Sequence, residues 1–121
     1  MNAAVQRLQT KYPWLPKSYH SFLSKSNGAE GDLGIEPGWV VVWSAEDALI
    51  SSDEYQLSEY LPGYFAFGGN GGGELFVFPI GETSGECPVF MVPAVGMAIK
   101  ELQQIAQSFF AFESQIGVEL D

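Results

Sequence analysis

Two apolar stretches, Tyr64–Phe67 and Glu74–Ile80, are joined by the run Gly68-Gly69-Asn70-Gly71-Gly72-Gly73. Aromatic and β-branched residues bounded by glycine predict two strands, and the junction reads as a turn that lets them pair or lets a neighbouring backbone approach closely. In the second stretch Leu75 and Val77 point one way and Phe76 and Phe78 the other. Both faces of that strand are apolar, so it belongs in the middle of a sheet, beneath helices or against a partner.

Further elements follow from spacing. Val5, Leu8 and Tyr12 share one face of a short first helix that Pro13 stops; Pro16 suits the first turn of a second, where Tyr19, Phe22 and Leu23 form the apolar face. Asn27 and Gly28 end it. Trp39–Trp43 predicts a buried strand after Pro37 and Gly38, and Ser44 with Asp47 three residues on marks the start of a short helix. Ser51–Glu59, polar and acidic, predicts a surface excursion. The turn Gly81–Glu86 leads into a strand over Pro88–Val92, giving an antiparallel meander. Leu102, Ile105, Phe109, Phe112 and Ile116 alternate steps of three and four, predicting a helix of about five turns that ends near Gly117. The order of elements indicates an α+β fold, helices on a central antiparallel sheet, in a single domain over residues 1–121.

Composition narrows the function. Fifteen acidic side chains against five basic ones give a net charge of -10, which argues against a surface that neutralises nucleic-acid phosphates or anionic lipid. No apolar run approaches the roughly 20 residues that span a bilayer, and the N-terminus lacks the basic-then-apolar order of a signal peptide, so a cytoplasmic protein is expected. A lone cysteine, Cys87, agrees with a reducing compartment. The charge is uneven. Arg7, Lys11, Lys17 and Lys25 make the first 25 residues +4, and the remainder is -14. Surface charge is usually only solvated; the sharper reading is an acidic body that faces a basic partner.

Catalytic patterns are mostly missing. The glycine run is followed by Glu74 and Leu75, where a phosphate-binding P-loop needs Lys and Ser/Thr, and it does not fit the dinucleotide spacing. His20 stands on the second helix without a local carboxylate, Ser84 is not in a nucleophile elbow, and Cys87 reads as a small buried hydrophobe. One His and one Cys cannot build the usual transition-metal site, and no calcium loop is visible, so no cofactor or metal is expected. Glu74, beside the glycine run, is the best single acid/base candidate and would serve a small hydrolase. Tyr60, Tyr64, Phe65 and Phe67 could line a groove, although aromatic strand residues are more often core.

The combination Leu15-Pro16-x-x-Tyr19-x-x-Phe22-Leu23, then Asn27-Gly28, a Trp-containing strand, and Phe67-Gly68-Gly69-Asn70-Gly71-Gly72-Gly73-Glu74 before an aromatic strand resembles the SUKH superfamily. That superfamily includes fungal cell wall assembly regulators and bacterial immunity proteins of contact-dependent and polymorphic toxin systems. The resemblance runs from about Tyr12 to Phe112. It implies a protein-binding module and not an enzyme, with Leu15, Pro16, Tyr19, Phe22, Leu23, Asn27 and Gly28 as fold determinants, together with Gly68, Gly69, Asn70, Gly71 and Gly73. It carries over no catalytic set, and partner surfaces vary among members. The expected partner is a protein, a toxin with a basic surface such as a nuclease, met by Asp53, Glu54, Glu59 and Glu74. A regulatory scaffold like the fungal members is the alternative. Charge, and not the resemblance, selects those four residues.

Overall fold

The computed structural model describes residues 3–81 and 86–120. Helices α1 (Ala3–Lys11) and α2 (Lys17–Ser26) come first, followed by strands β1 (Ala29–Asp32) and β2 (Trp39–Val42). Helices α3 (Ala45–Glu54) and α4 (Leu57–Tyr60) lead to β3 (Tyr64–Gly69), β4 (Glu74–Pro79) and β5 (Val89–Pro93). A 3-10 turn at Ile99–Glu101, strand β6 (Gln103–Ala106) and helix α5 (Phe109–Glu113) complete the chain. The six strands form one sheet in sequence order, and every neighbouring pair is antiparallel.

The two-sided character of β4 organises this sheet. Phe76 and Phe78 join Val40, Val42, Phe65 and Phe67 in one core, which α1, α2 and α5 cover with Leu8, Tyr19, Leu23, Phe109 and Phe112. Leu75 and Val77 join Ala66 and Val92 on the other face, where Leu57, Leu61 and Met97 cover them. Tyr19 sits at the centre of the first core, its ring 5.3 Å from Phe78, 5.4 Å from Phe109 and 5.7 Å from Phe67 by centroid. These edge-on and tilted contacts give aromatic packing its geometric specificity. Tyr19 is fully buried, and among the described residues its hydroxyl has no hydrogen-bond partner. Burial raises its pKa.

The first half of the chain matches its sequence pattern closely. Pro16 stands at the N-cap of α2, and Asn27 itself takes the left-handed conformation at the far end, with φ 44°. The Asn27 side chain reaches across to α3: its Oδ1 accepts the Ala45 N–H at 2.8 Å and its Nδ2 donates to Glu46 at 3.1 Å. Ser44 accepts the Asp47 N–H at 3.1 Å, the cap expected for α3. The buried strand expected over Trp39–Trp43 is an exception: β2 ends at Val42, and only Val40 and Val42 are fully covered, with Trp39 exposed, because alternate residues face opposite sides of the sheet. Strand β1, Ala-Glu-Gly-Asp, carries no apolar pattern and is stabilised by pairing with β2.

Two expectations are corrected. The Ser51–Glu59 stretch is no simple excursion: α3 continues to Glu54, α4 follows, and Ser51 and Leu57 are buried. The Ser51 hydroxyl donates to the Asp47 carbonyl one turn back, which satisfies it inside the helix. The five-turn helix over Leu102–Gly117 does not form. Gln103 and Gln104 pair with Met91 and Phe90 on β5, Ser108 is extended, and its hydroxyl accepts the Ala111 N–H to start a short α5. Leu102 packs into one core and Ile105 into the other, which one helical stripe cannot do. Beyond α5 the tail crosses to the opposite edge, where Gly117 N–H donates to Asp32 O and Ile116 bridges Leu33. Residues 82–85 of the Gly81–Glu86 turn, Ser84 among them, lie outside the described residues.

The glycine run is partly strand. Gly68 and Gly69 end β3, and a Cβ on Gly68 would collide with the carbonyl oxygen of Val41 on β2. Gly71 and Gly73 have φ of 75° and 113° and shape the turn itself. We expect Gly68→Ala to destabilise the protein by about 2 kcal/mol or more in urea titration. Gly31→Ala, where a Cβ meets nothing within 4 Å, serves as a control and should stay within about 0.5 kcal/mol of wild type. Removing the unpaired Tyr19 hydroxyl in Tyr19→Phe is expected to leave stability unchanged or raise it by about 1 kcal/mol, measured the same way.

Candidate functional site

The acidic residues singled out by charge fall in two places. Asp53 and Glu54 are exposed on the last turn of α3, and Glu59 is exposed on α4. Glu74 is half-buried at the start of β4. A stacked aromatic pair lies between these regions. Tyr55, immediately after Glu54, lays its ring parallel to that of Trp43, which follows β2, with centroids 5.9 Å apart and planes 5° apart.

Asn70 builds the turn that holds Glu74. Its Oδ1 accepts the N–H groups of Gly72 at 2.9 Å and Glu74 at 3.0 Å, and its Nδ2 donates to Glu74 Oε1 at 3.1 Å. The Asn70 N–H donates to the Glu74 carbonyl at 3.0 Å and closes the turn. One short amide side chain thus replaces the partners that a tight glycine turn would otherwise leave to water. Trp43, Tyr55, Gly71, Gly73 and Glu74 line a cavity of about 250 Å³, with Val41, Leu75 and Ala94 as apolar lining. Of the four acidic candidates only Glu74 lines it; Asp53 and Glu54 stand next in sequence to Tyr55, and Glu59 is apart.

The basic side chains gather elsewhere. Arg7 and Lys11 line an open groove of about 720 Å³ with Leu49 and Ile50, and Lys17 and Lys25 line another of about 520 Å³ with His20. Burial lowers the His20 pKa, opposed by the backbone of Tyr12, and neither ring nitrogen has a partner of good hydrogen-bond geometry among the described residues. Burial, and next the Glu86 charge, push the Cys87 thiol up to about 11. At neutral pH it is therefore a protonated thiol and a poor nucleophile. The Glu86 carboxylate is structural. It accepts from the Ser18 hydroxyl at 2.8 and 2.9 Å and from the Phe110 N–H at 3.2 Å, joining the starts of α2 and α5. Among the described residues no group of three His, Cys, Asp or Glu could hold a metal ion, and no helix is long and apolar enough to cross a membrane. Tyr64 and Phe65 line a further cavity with Leu57 and Ile80, although Phe65, like Phe67, belongs to the core, and Tyr60 is exposed.

A family model described as the SMI1 / KNR4 family (SUKH-1) matches residues 2–115. The chain belongs to this family. The match takes in the Leu15–Gly28 helical signature, the glycine turn and all six strands, and the α+β architecture agrees with it. Membership in SMI1 / KNR4 carries a protein-binding role, in immunity or regulation, and members are generally non-enzymatic. None of the curated proteins compared matches the chain. The Trp43–Tyr55 stack is the feature that sequence reasoning missed; its only linear signal is two aromatics flanking the two ends of a helix.

Because Asn70 holds both the turn and the Glu74 carboxylate, Asn70→Ala is expected to cost about 1 kcal/mol of stability. Amide hydrogen exchange at Gly72 and Glu74 should accelerate together, since both lose the same acceptor.

Proposed function

We propose that this protein is a cytoplasmic immunity protein that binds and neutralises a toxin of a contact-dependent or polymorphic toxin system, through an acidic surface that meets a basic one. The observation that carries this reading is the exposure of Asp53 and Glu54, which precede Tyr55 of the Trp43–Tyr55 stack in sequence, on a chain of net charge -10. Exposed carboxylates and an exposed aromatic suit a cationic protein face: the charges steer encounter and the aromatic supplies contact area. A nuclease is the natural class of such a toxin, because its phosphate-binding face is basic. Glu59 on α4 and Glu74 at the glycine turn are further carboxylates on this chain, apart from that pair. Blocking that face by occupancy requires no chemistry from this chain.

The test is capture of proteins encoded beside this one. A toxin should be retained, cells expressing it should survive when this chain is co-expressed, and binding should fall about tenfold or more in Asp53→Lys/Glu54→Lys and on raising salt to about 0.5 M. Tight capture indifferent to salt and to both charge reversals would overturn the electrostatic reading. Capture of a non-toxic partner without any rescue would instead favour a regulatory scaffold.

A further inference from the structure

We infer that the outer border of strand β1 is a docking edge for an extended, basic segment of a protein partner, which adds to the sheet beside Glu30 and Asp32. The inference shares a basic protein partner with the reading above and places it on a different surface from Asp53 and Glu54. The sheet has two outer strands, and β1 is one of them. Its backbone direction is fixed by bonds on either side. The Leu33 N–H donates to Gly38 O on the side of β2, whereas Asp32 O and the Gly34 N–H face the other way and bond to Gly117 and Gln115 of the tail. Along an antiparallel strand these directions alternate, and both groups of one residue point the same way. The N–H and C=O of Glu30 and the N–H of Asp32 therefore point outward, and among the described residues none of the three has a partner.

The tail covers only one end of this border. It runs antiparallel to β1, with Gln115 at Gly34, Ile116 at Leu33 and Gly117 at Asp32. Continued in that register, Glu119 would stand directly opposite Glu30, a like-charge pair that disfavours further pairing. The chain turns away instead. Gly117 has φ 89°, the Val118 N–H bonds back to Gln115 O at 3.2 Å, and Val118 lies where a Cβ on Gly34 would collide with it.

Charge chooses the occupant of the open end. Glu30 and Asp32 are both exposed and, two residues apart, stand on one face of the sheet, the face of their cross-strand neighbours Val41 and Trp39. Trp39 and Val41 belong to neither core and Trp39 is exposed, so this face lies open at the border. An added strand sets two of its own side chains directly opposite Glu30 and Asp32. Lys or Arg there makes opposite-charge pairs, while a second copy of β1 would bring carboxylate against carboxylate. The border thus repels its own kind and accepts a strand with basic residues at alternate positions.

The test uses the intact protein and the peptide acetyl-Val-Lys-Val-Lys-Val-amide. One control peptide has Glu in place of Lys; in the other both lysine backbone nitrogens are methylated, which keeps the charge and removes the donors an added strand presents to β1. In ¹⁵N spectra the Glu30 and Asp32 amide signals should move saturably with the lysine peptide, and their hydrogen exchange should slow about tenfold or more at saturation. Both controls should bind about fivefold or more weakly than the lysine peptide, as should the lysine peptide to Glu30→Lys/Asp32→Lys, whose spectra report that the fold is retained. Unmoved Glu30 and Asp32 signals, or equal binding of the methylated peptide, overturn the inference. So does protection of the same amides on raising the protein concentration alone, which assigns the edge to a second copy. The result is independent of the toxin: a Glu30 response without any captured neighbour rejects the immunity reading and leaves the edge, whereas capture without a response rejects the edge alone.

Discussion

Strand β4 has no solvent face. Phe76 and Phe78 on one side and Leu75 and Val77 on the other are all withdrawn from water, so the sheet must be covered twice. Each such side chain contributes roughly 1.5–3 kcal/mol when fully buried, and neither layer can be removed without exposing half of the strand. Helices α1, α2 and α5 supply the thick layer around Tyr19; α4 and the residues near Met97 supply the thin one. The close approach of β3 to β2 at Gly68 has a different origin, the register shift between Ala66 and Gly68, where the Val41 carbonyl on β2 leaves no room for a methyl group.

Helices of opposite charge are packed together on this sheet. The four cations of the first 25 residues all lie on α1 and α2 and line the two grooves there, the first of which α3 completes with Leu49 and Ile50, so the carboxylates of α3 ride on a helix packed against the basic α1. Carboxylates with structural duties are also distinguished from free ones: Glu86 ties two helix starts, whereas Asp53 and Glu59 are presented to solvent.

The parts legible in sequence are those set by neighbours along the chain. The Tyr19, Phe22, Leu23 face, the Ser44 cap and the alternation of β4 are local patterns, and each is found where its spacing places it. The Leu102–Ile116 periodicity is local too, but an unpaired β5 edge competes for the same residues and wins, because Gln103–Ala106 satisfies backbone groups that a helix would have left open on β5. Strand β1 is illegible in isolation, since its polar residues acquire a role only through β2. The site divides the same way. Glu74 is evident from its place beside the glycines, but the partner rings Trp43 and Tyr55 are separated by all of α3 and meet only after it folds.

The tail that leaves α5 and bonds to Asp32 and Leu33 links the last strand of the sheet to the first. During synthesis all six strands leave the ribosome before residues 109–117 do. The sheet can therefore pair progressively, strand by strand, yet its two borders are joined only by the segment translated after it. The β1 border can therefore be covered in this way only once Ile116 and Gly117 have been made.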